Sequence, residues 1–410
     1  MQKIIRRSII SGKISAPPSK AVAHRALVAC CLSGGQSLVS NVPDLPEIHS
    51  TINALGSLGA DIVFDSGVAD IFAPEEIGFG EKVDCEGSNT ALKLLAPIAA
   101  CLGSRAVFSA SGSLQKKSVE PFALYLNRLG GDASTQNGYL PLSINGGIGE
   151  SEMIYPPSLG TQFLSGLLLG APLRIMPTEI EFESPLPNFS YVQSTIEMMK
   201  RFGISFAEDG PEGIALMGEQ DYDPPGEFAV PESPYLSSYY LLAGAVAGSV
   251  EIEGMMQYPE FDSLMRSFGN SMKSSESSIT CFAGALARTE LNAVLLGELL
   301  PHAFVLASLC SEECKFEGIA ALGPRKEYRM RLLARELSKM GASITETGNG
   351  FFVRGGRLVG AEVDCEGDPK VGMALSIAAI ASAGATTLQG MECIYPEFFL
   401  NLTGLGALIR

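Results

Sequence analysis

Val83-Asp84-Cys85-Glu86-Gly87-Ser88 recurs near the far end of the chain as Val363-Asp364-Cys365-Glu366-Gly367-Asp368. Each copy reads as a short strand, a tight turn and a helix-capping residue, Ser88 or Asp368. Each leads into a run of small apolar residues that closes at Gly103 or Gly384. Such a correspondence means that the chain is built from repeats, and repeats decide a fold before any single motif does.

Outward from this pair, a second signal counts the repeats. An amphipathic stretch closing on a large apolar residue and a glycine occurs six times, at Gly59, Gly130, Gly203, Gly269, Gly341 and Gly406, roughly 65 to 73 residues apart. Glycine suits the left-handed position that follows a helix. A second, more apolar helix is expected in each repeat, beginning near Ser19, Ser88, Gly160, Ser233, Pro301 and Asp368. Helices covered all round by Ala, Leu, Gly and Ser are buried ones. One unit therefore reads strand, buried helix, strand, amphipathic helix, short strands, with turns such as Gln136-Asn137-Gly138. The class is α/β: six units in two domains of three, with the boundary expected at the Pro-rich acidic stretch Asp221 to Glu227. If the three buried helices of each half run parallel, their N-termini converge on one face. Each terminus attracts an anion by about 0.3 to 1 kcal/mol, too little to hold a polyanion without fixed cations.

Composition narrows the partners. The 410 residues carry 29 Lys and Arg against 45 Asp and Glu, a net charge of −16, which argues against nucleic acid or an anionic membrane. The basic start, Met1 to Ile10, lacks the apolar core of a secretory signal, and the apolar runs are too short to span a bilayer, so a cytoplasmic protein is expected. Nine cysteines form no Cys-x-x-Cys, and only three histidines accompany them, so reduced core thiols are expected rather than zinc. Against so acidic a background, cations gathered at the starts of repeats favour an anion site, although the repeats alone would equally build a scaffold with no site.

The strongest such corner is Pro17-Pro18-Ser19-Lys20-Ala21-Val22-Ala23-His24-Arg25, an extended segment ended by prolines, then a capped helix with Lys20 and Arg25 in its first turns. It resembles the Lys-Ser-x-x-x-Arg corner of the enolpyruvyl transferases, and most closely of the branch that acts on shikimate 3-phosphate. The resemblance covers essentially the whole chain. It implies an inside-out barrel of six units, with the buried helices of each domain parallel. Residues 1–14 with 230–410 would make one domain, 15–229 the other, with the active site in the cleft between them and hinges near 14–18 and 223–232. The implied reaction moves the enolpyruvyl group of phosphoenolpyruvate to the 5-hydroxyl of shikimate 3-phosphate and releases phosphate. No cofactor or metal is implied, and a monomer is expected.

Carried over residue by residue, the resemblance assigns Lys20 to both substrates and Ala21 and Arg25 to shikimate 3-phosphate. Cys85 to Lys93 resembles the phosphoenolpyruvate loop, with Asn89 where the family has Gly, which implies glyphosate tolerance. Lys117 stands for an Arg on phosphoenolpyruvate. Gly160-Thr161-Gln162-Phe163-Leu164-Ser165 resembles Ser-Ser-Gln-Phe-Leu, leaving Thr161 and Gln162 for shikimate 3-phosphate, Gln162 also facing phosphoenolpyruvate. Asn188 and Tyr191 follow in the same domain. Pro301-His302 takes the place of Pro-Asp, so His302 becomes a proton-acceptor candidate beside Lys20 and Glu327; a histidine that merely caps its helix is the alternative. Arg325-Lys326-Glu327-Tyr328-Arg329 resembles Lys-Glu-x-Asp-Arg with one residue missing, giving Lys326 to shikimate 3-phosphate and Arg329 to phosphoenolpyruvate. In Asp368-Pro369-Lys370, Lys370 stands for an Arg on phosphoenolpyruvate. Glu392 to Phe399 resembles the C-terminal segment shortened by about three residues, without its lysine. An enolpyruvyl transferase for another alcohol and a non-catalytic anion-binding relative remain alternatives. The sugar-nucleotide branch carries a Cys within the loop matching Ser109 to Lys117, and none is present here.

Overall fold

The computed structural model describes residues 2–255, 257–392 and 395–410. They fall into two compact units: a segmented one of residues 1–17 and 232–410, and a continuous one of residues 18–231. Each has its own apolar core. No helix among the described residues is long and apolar enough to cross a membrane.

Among the described residues, six four-stranded sheets repeat one plan. In the sheet after Gly80, Lys82–Asp84 runs parallel to Ala106–Ser109, which is antiparallel to Tyr139–Gly146, itself antiparallel to Asp132–Gln136. The helix Asn89–Cys101 connects the parallel pair, as a parallel connection requires. The twin stretches match in detail. Glu86 and Glu366 both adopt left-handed backbone, and each donates its N–H to an aspartate two residues back, Asp84 or Asp364, at 2.9 Å. The buried helices begin where expected: Lys20–Leu32, Asn89–Cys101, Gly160–Gly170, Pro234–Ala247, Leu300–Leu309 and Pro369–Ala381. Ser19, Ser88, Ser233 and Asp368 cap four of them, each side chain accepting a backbone N–H from the first turn. All six glycines after the amphipathic helices have φ between 74° and 105°.

Three sheets depart from a simple run of repeats. Ile10–Ser15 leads into the helix at Lys20 but pairs in parallel with Gly248–Glu253. Glu227–Ala229 leads into the helix at Pro234 but pairs in parallel with Gly35–Ser40. The two first strands are thus exchanged. Lys3–Arg6 further joins the sheet of Ala385–Gln389 and Leu408–Ile409 near the C-terminus. The stretch Asp221 to Glu227 is therefore not where the units divide. It lies inside the continuous unit, where buried Tyr222 donates its hydroxyl to the Leu169 carbonyl at 2.8 Å.

The helices Asn89–Cys101 and Gly160–Gly170 approach so closely that a Cβ on Gly166 would lie 2.5 Å from the Leu94 carbonyl oxygen and 2.7 Å from that of Lys93. Both obstacles are backbone, so neither moves cheaply. Gly166→Ala is expected to lower stability by about 1 to 3 kcal/mol, read as a lower urea midpoint with an unchanged m-value.

Candidate active site

In the continuous unit, Lys20 is the first residue of its helix because Ser19 ends the extended segment and caps it. Its ammonium pairs with Glu47 on the helix Pro46–Leu55. One turn on, Arg25 is 2% exposed. Its guanidinium donates to Thr195 Oγ1 at 2.7 Å, to the Ala21 carbonyl at 2.7 Å and to Ser165 Oγ at 2.9 Å. All three are neutral, and no carboxylate pairs with Arg25 among the described residues. Burial pushes this guanidinium down to about 10. Tyr191, on the helix Ser190–Arg201 one turn before Thr195, is raised by its own burial and eased by Arg25. A buried cation without an anion is costly, so the arrangement suits a ligand that brings the missing charge.

Beside this cluster, Gln162 accepts from Asn89 Nδ2 at 3.4 Å and donates to Thr90 Oγ1 at 2.9 Å. The helices that start at Asn89 and Gly160 thus present one linked amide pair. Thr161 is half-buried, and Ala21 lies in the first turn of the Lys20 helix. Lys117 is exposed at the end of the turn Gly112–Lys116. Asn188 has φ of 60°, just ahead of Tyr191.

In the segmented unit, the sequence-distant Pro301, Lys326, Arg329 and Lys370 line one pocket together with Glu298. Arg329 Nε donates to Asp368 Oδ2 at 2.8 Å, and Asp368 also caps the helix that carries Lys370. Lys370 pairs with Glu298 and stands 4.9 Å from the centre of the Tyr235 ring. Burial pushes it down to about 8. Burial, then the charge of Arg329, also lowers Lys326, whose ammonium is 3.6 Å from Glu298 Oε1. Glu327, not on this lining, pairs with Arg331 at 2.8 Å one turn along the helix Pro324–Lys339.

His302 is not among the residues lining this pocket. It is wholly buried within the helix Leu300–Leu309, with Nε2 at 2.8 Å from Ser238 Oγ and its ring 4.2 Å from that of Tyr239. Burial among aromatic side chains pushes it down to about 3, which favours the neutral ring with a single N–H. It does not cap its helix either; Pro301 lines the pocket while the next side chain turns into the core.

Cys393 and Ile394, inside the shortened C-terminal segment, lie outside the described residues. Residues unmarked in the sequence reading also enter these clusters: Glu47, Ser165 and Thr195 in one unit, Glu298 and Ser238 in the other. Only helical spacing hinted at them, Thr195 lying four residues after Tyr191 and Glu298 four before His302.

The family model for EPSP synthase (3-phosphoshikimate 1-carboxyvinyltransferase) matches residues 5–402. The chain is 30% identical to the 3-phosphoshikimate 1-carboxyvinyltransferase of Methanocorpusculum labreanum, covering all of both chains. It is 31% identical to that of Methanocella arvoryzae, with 99% of each covered. Among solved structures, an EPSP synthase from Acinetobacter baumannii superposes with a TM-score of 0.85 over 100% of this chain and 99% of that one, at 20% identity.

Proposed function

The chain belongs to the EPSP synthase family, and from that premise we propose that it transfers the enolpyruvyl group of phosphoenolpyruvate to the 5-hydroxyl of shikimate 3-phosphate, a step of aromatic biosynthesis. The observation that carries the proposal to particular residues is the buried Arg25 guanidinium, surrounded by hydroxyls and a carbonyl but by no carboxylate. It is suited to the phosphate of the acceptor. Ala21, Thr161, Gln162, Asn188, Tyr191 and Lys326 complete the acceptor's contacts. Lys20, Asn89, Lys117, Gln162, Arg329 and Lys370 face phosphoenolpyruvate.

The acceptor hydroxyl adds to C2 of phosphoenolpyruvate while C3 takes a proton. The hydroxyl's proton passes to a side chain in this addition; the tetrahedral intermediate then expels phosphate as C3 gives up a proton to a side chain, which restores the C2=C3 double bond. The cations balance the anionic charge of both substrates. Lys20 and Glu327 are kept as proton-transfer candidates. His302, wholly buried and 2.8 Å from Ser238 Oγ, is read instead as holding the turn at Pro301 in place. Finer features belong to the same proposal: three repeats to a unit, parallel buried helices in an inside-out barrel, and a cytoplasmic monomer that binds neither nucleic acid nor membrane.

Phosphate release from phosphoenolpyruvate with shikimate 3-phosphate as acceptor, with the product identified by mass, tests the reaction. Turnover only with another alcohol, or binding without turnover, would overturn it. Two further results follow. Asn89 puts a side chain where the family has Gly, so glyphosate is expected to inhibit poorly. Asn89→Gly should lower its inhibition constant by about tenfold or more; equal inhibition of both proteins would remove Asn89 from the site. Because Lys370 must be charged to hold phosphoenolpyruvate, KM for that substrate should climb as pH rises through about 8, and Lys370→Arg should shift this rise to higher pH. A flat KM between pH 7 and 9.5 would count against Lys370 as a contact.

A further inference from the structure

Among the described residues, Glu298 is the single carboxylate on the lining of the pocket in the segmented unit. It sits on the turn Gly297–Leu299, directly ahead of the buried helix Leu300–Leu309, and its side chain is 19% exposed. One carboxylate oxygen pairs with Lys370, and the other is 3.6 Å from Lys326. These two lysines come from separate helices, Pro324–Lys339 and Pro369–Ala381, and both reach this carboxylate. The proposed reaction gives Glu298 no task. To an ammonium group, a glutamate oxygen and an oxygen of a ligand's phosphate or carboxylate are equivalent partners.

We infer that Glu298 is a built-in stand-in for the substrate anion: it occupies Lys326 and Lys370 in the free protein and is exchanged for anionic oxygens of the ligand on binding. The inference rests on reading those lysines as substrate contacts. Arg329 keeps its own partner, Asp368, so the exchange concerns the two lysines alone. Affinity is then a difference between two ion pairs, the one formed with ligand and the one given up with Glu298. Removing the carboxylate charge while keeping the side chain's shape therefore strengthens binding.

The test is the dissociation constant of phosphoenolpyruvate by calorimetry for the wild type and for Glu298→Gln, Lys326→Gln and Lys370→Gln, at two salt concentrations. Glu298→Gln is expected to bind about tenfold more tightly, with a steeper loss of affinity in salt, because the ligand no longer competes with the Glu298 carboxylate for the lysine ammonium groups. Equal or weaker binding by a folded Glu298→Gln overturns the inference. If that variant does not fold, Glu298→Asp, one methylene shorter, gives the same comparison with a smaller tightening. Lysine variants that weaken binding while no Glu298 variant tightens it defeat the inference alone. Lysine variants that leave binding unchanged defeat the reading of the site and the inference with it.

Discussion

Replacing Arg25 by methionine lowers kcat/KM for shikimate 3-phosphate by about a hundredfold or more and, in the same protein, raises the stability of the fold. The first effect follows from charge-assisted hydrogen bonds, each contributing about 1.5 to 3 kcal/mol, that a guanidinium makes to a phosphate and a thioether cannot. The second follows from the surroundings of the guanidinium without ligand. It is buried, with only Thr195, Ser165 and the Ala21 carbonyl as partners. An uncompensated buried charge costs several kcal/mol, and an apolar chain of similar length removes that cost. The hydroxyls of Ser165 and Thr195 keep their bonds to the Thr161 and Tyr191 carbonyls, so the change strands neither. Steady-state kinetics with varied acceptor and urea unfolding of the apo protein provide the two readings. Unchanged kinetics with lowered stability would make Arg25 a packing residue and leave the phosphate without its central contact.

Acid weakens this protein through its buried histidines. His302 is neutral in the fold, held at about 3, against an unfolded value near 6.5. Because the folded value is the lower one, the unfolded chain binds the extra proton between these limits. The stabilisation is complete above pH 6.5 and is lost as pH falls toward 3, at up to ~1.4 kcal/mol per pH unit. His24 acts in the same direction: burial first, then the charges of Lys20 and Arg25, lower it well below its ordinary value. Its Nδ1 is 2.8 Å from Thr51 Oγ1. At pH 4.5 the His302 loss alone amounts to roughly 3 kcal/mol. His302→Gln, which preserves a partner for Ser238, should reduce the slope of unfolding free energy against pH by close to one proton over this range. An unchanged slope would mean that His302 is accessible and titrates normally. A kinetic limb near pH 6.5 that vanished in the same variant would restore it as a base.

Much of the fold was legible because its signals are local. Gly59, Gly130, Gly203, Gly269, Gly341 and Gly406 mark helix ends through their own φ, and Ser19, Ser88, Ser233 and Asp368 mark helix starts through bonds to residues two or three positions on. The exchange of Ile10–Ser15 and Glu227–Ala229 was not legible in the strand patterns themselves, since either pattern suits either sheet and only long-range pairing distinguishes them; the discontinuous domain of residues 1–14 with 230–410 came from the resemblance alone.

At the candidate site the division is the same. The chain by itself determined which residue types stand at each corner and hence the anionic character of the ligands: Lys20 and Arg25 after Pro17-Pro18, and Lys326, Arg329 and Lys370 in the later repeats. Only the tertiary structure decided what each charge meets. Glu47 pairs with Lys20, Asp368 with Arg329 and Glu298 with Lys370, while Arg25 receives no carboxylate among the described residues and His302 is enclosed by Tyr239 and Phe261. Charge and hydrogen-bonding capacity belong to the residue, but burial and the choice of partner depend on elements from 27 to 170 positions apart.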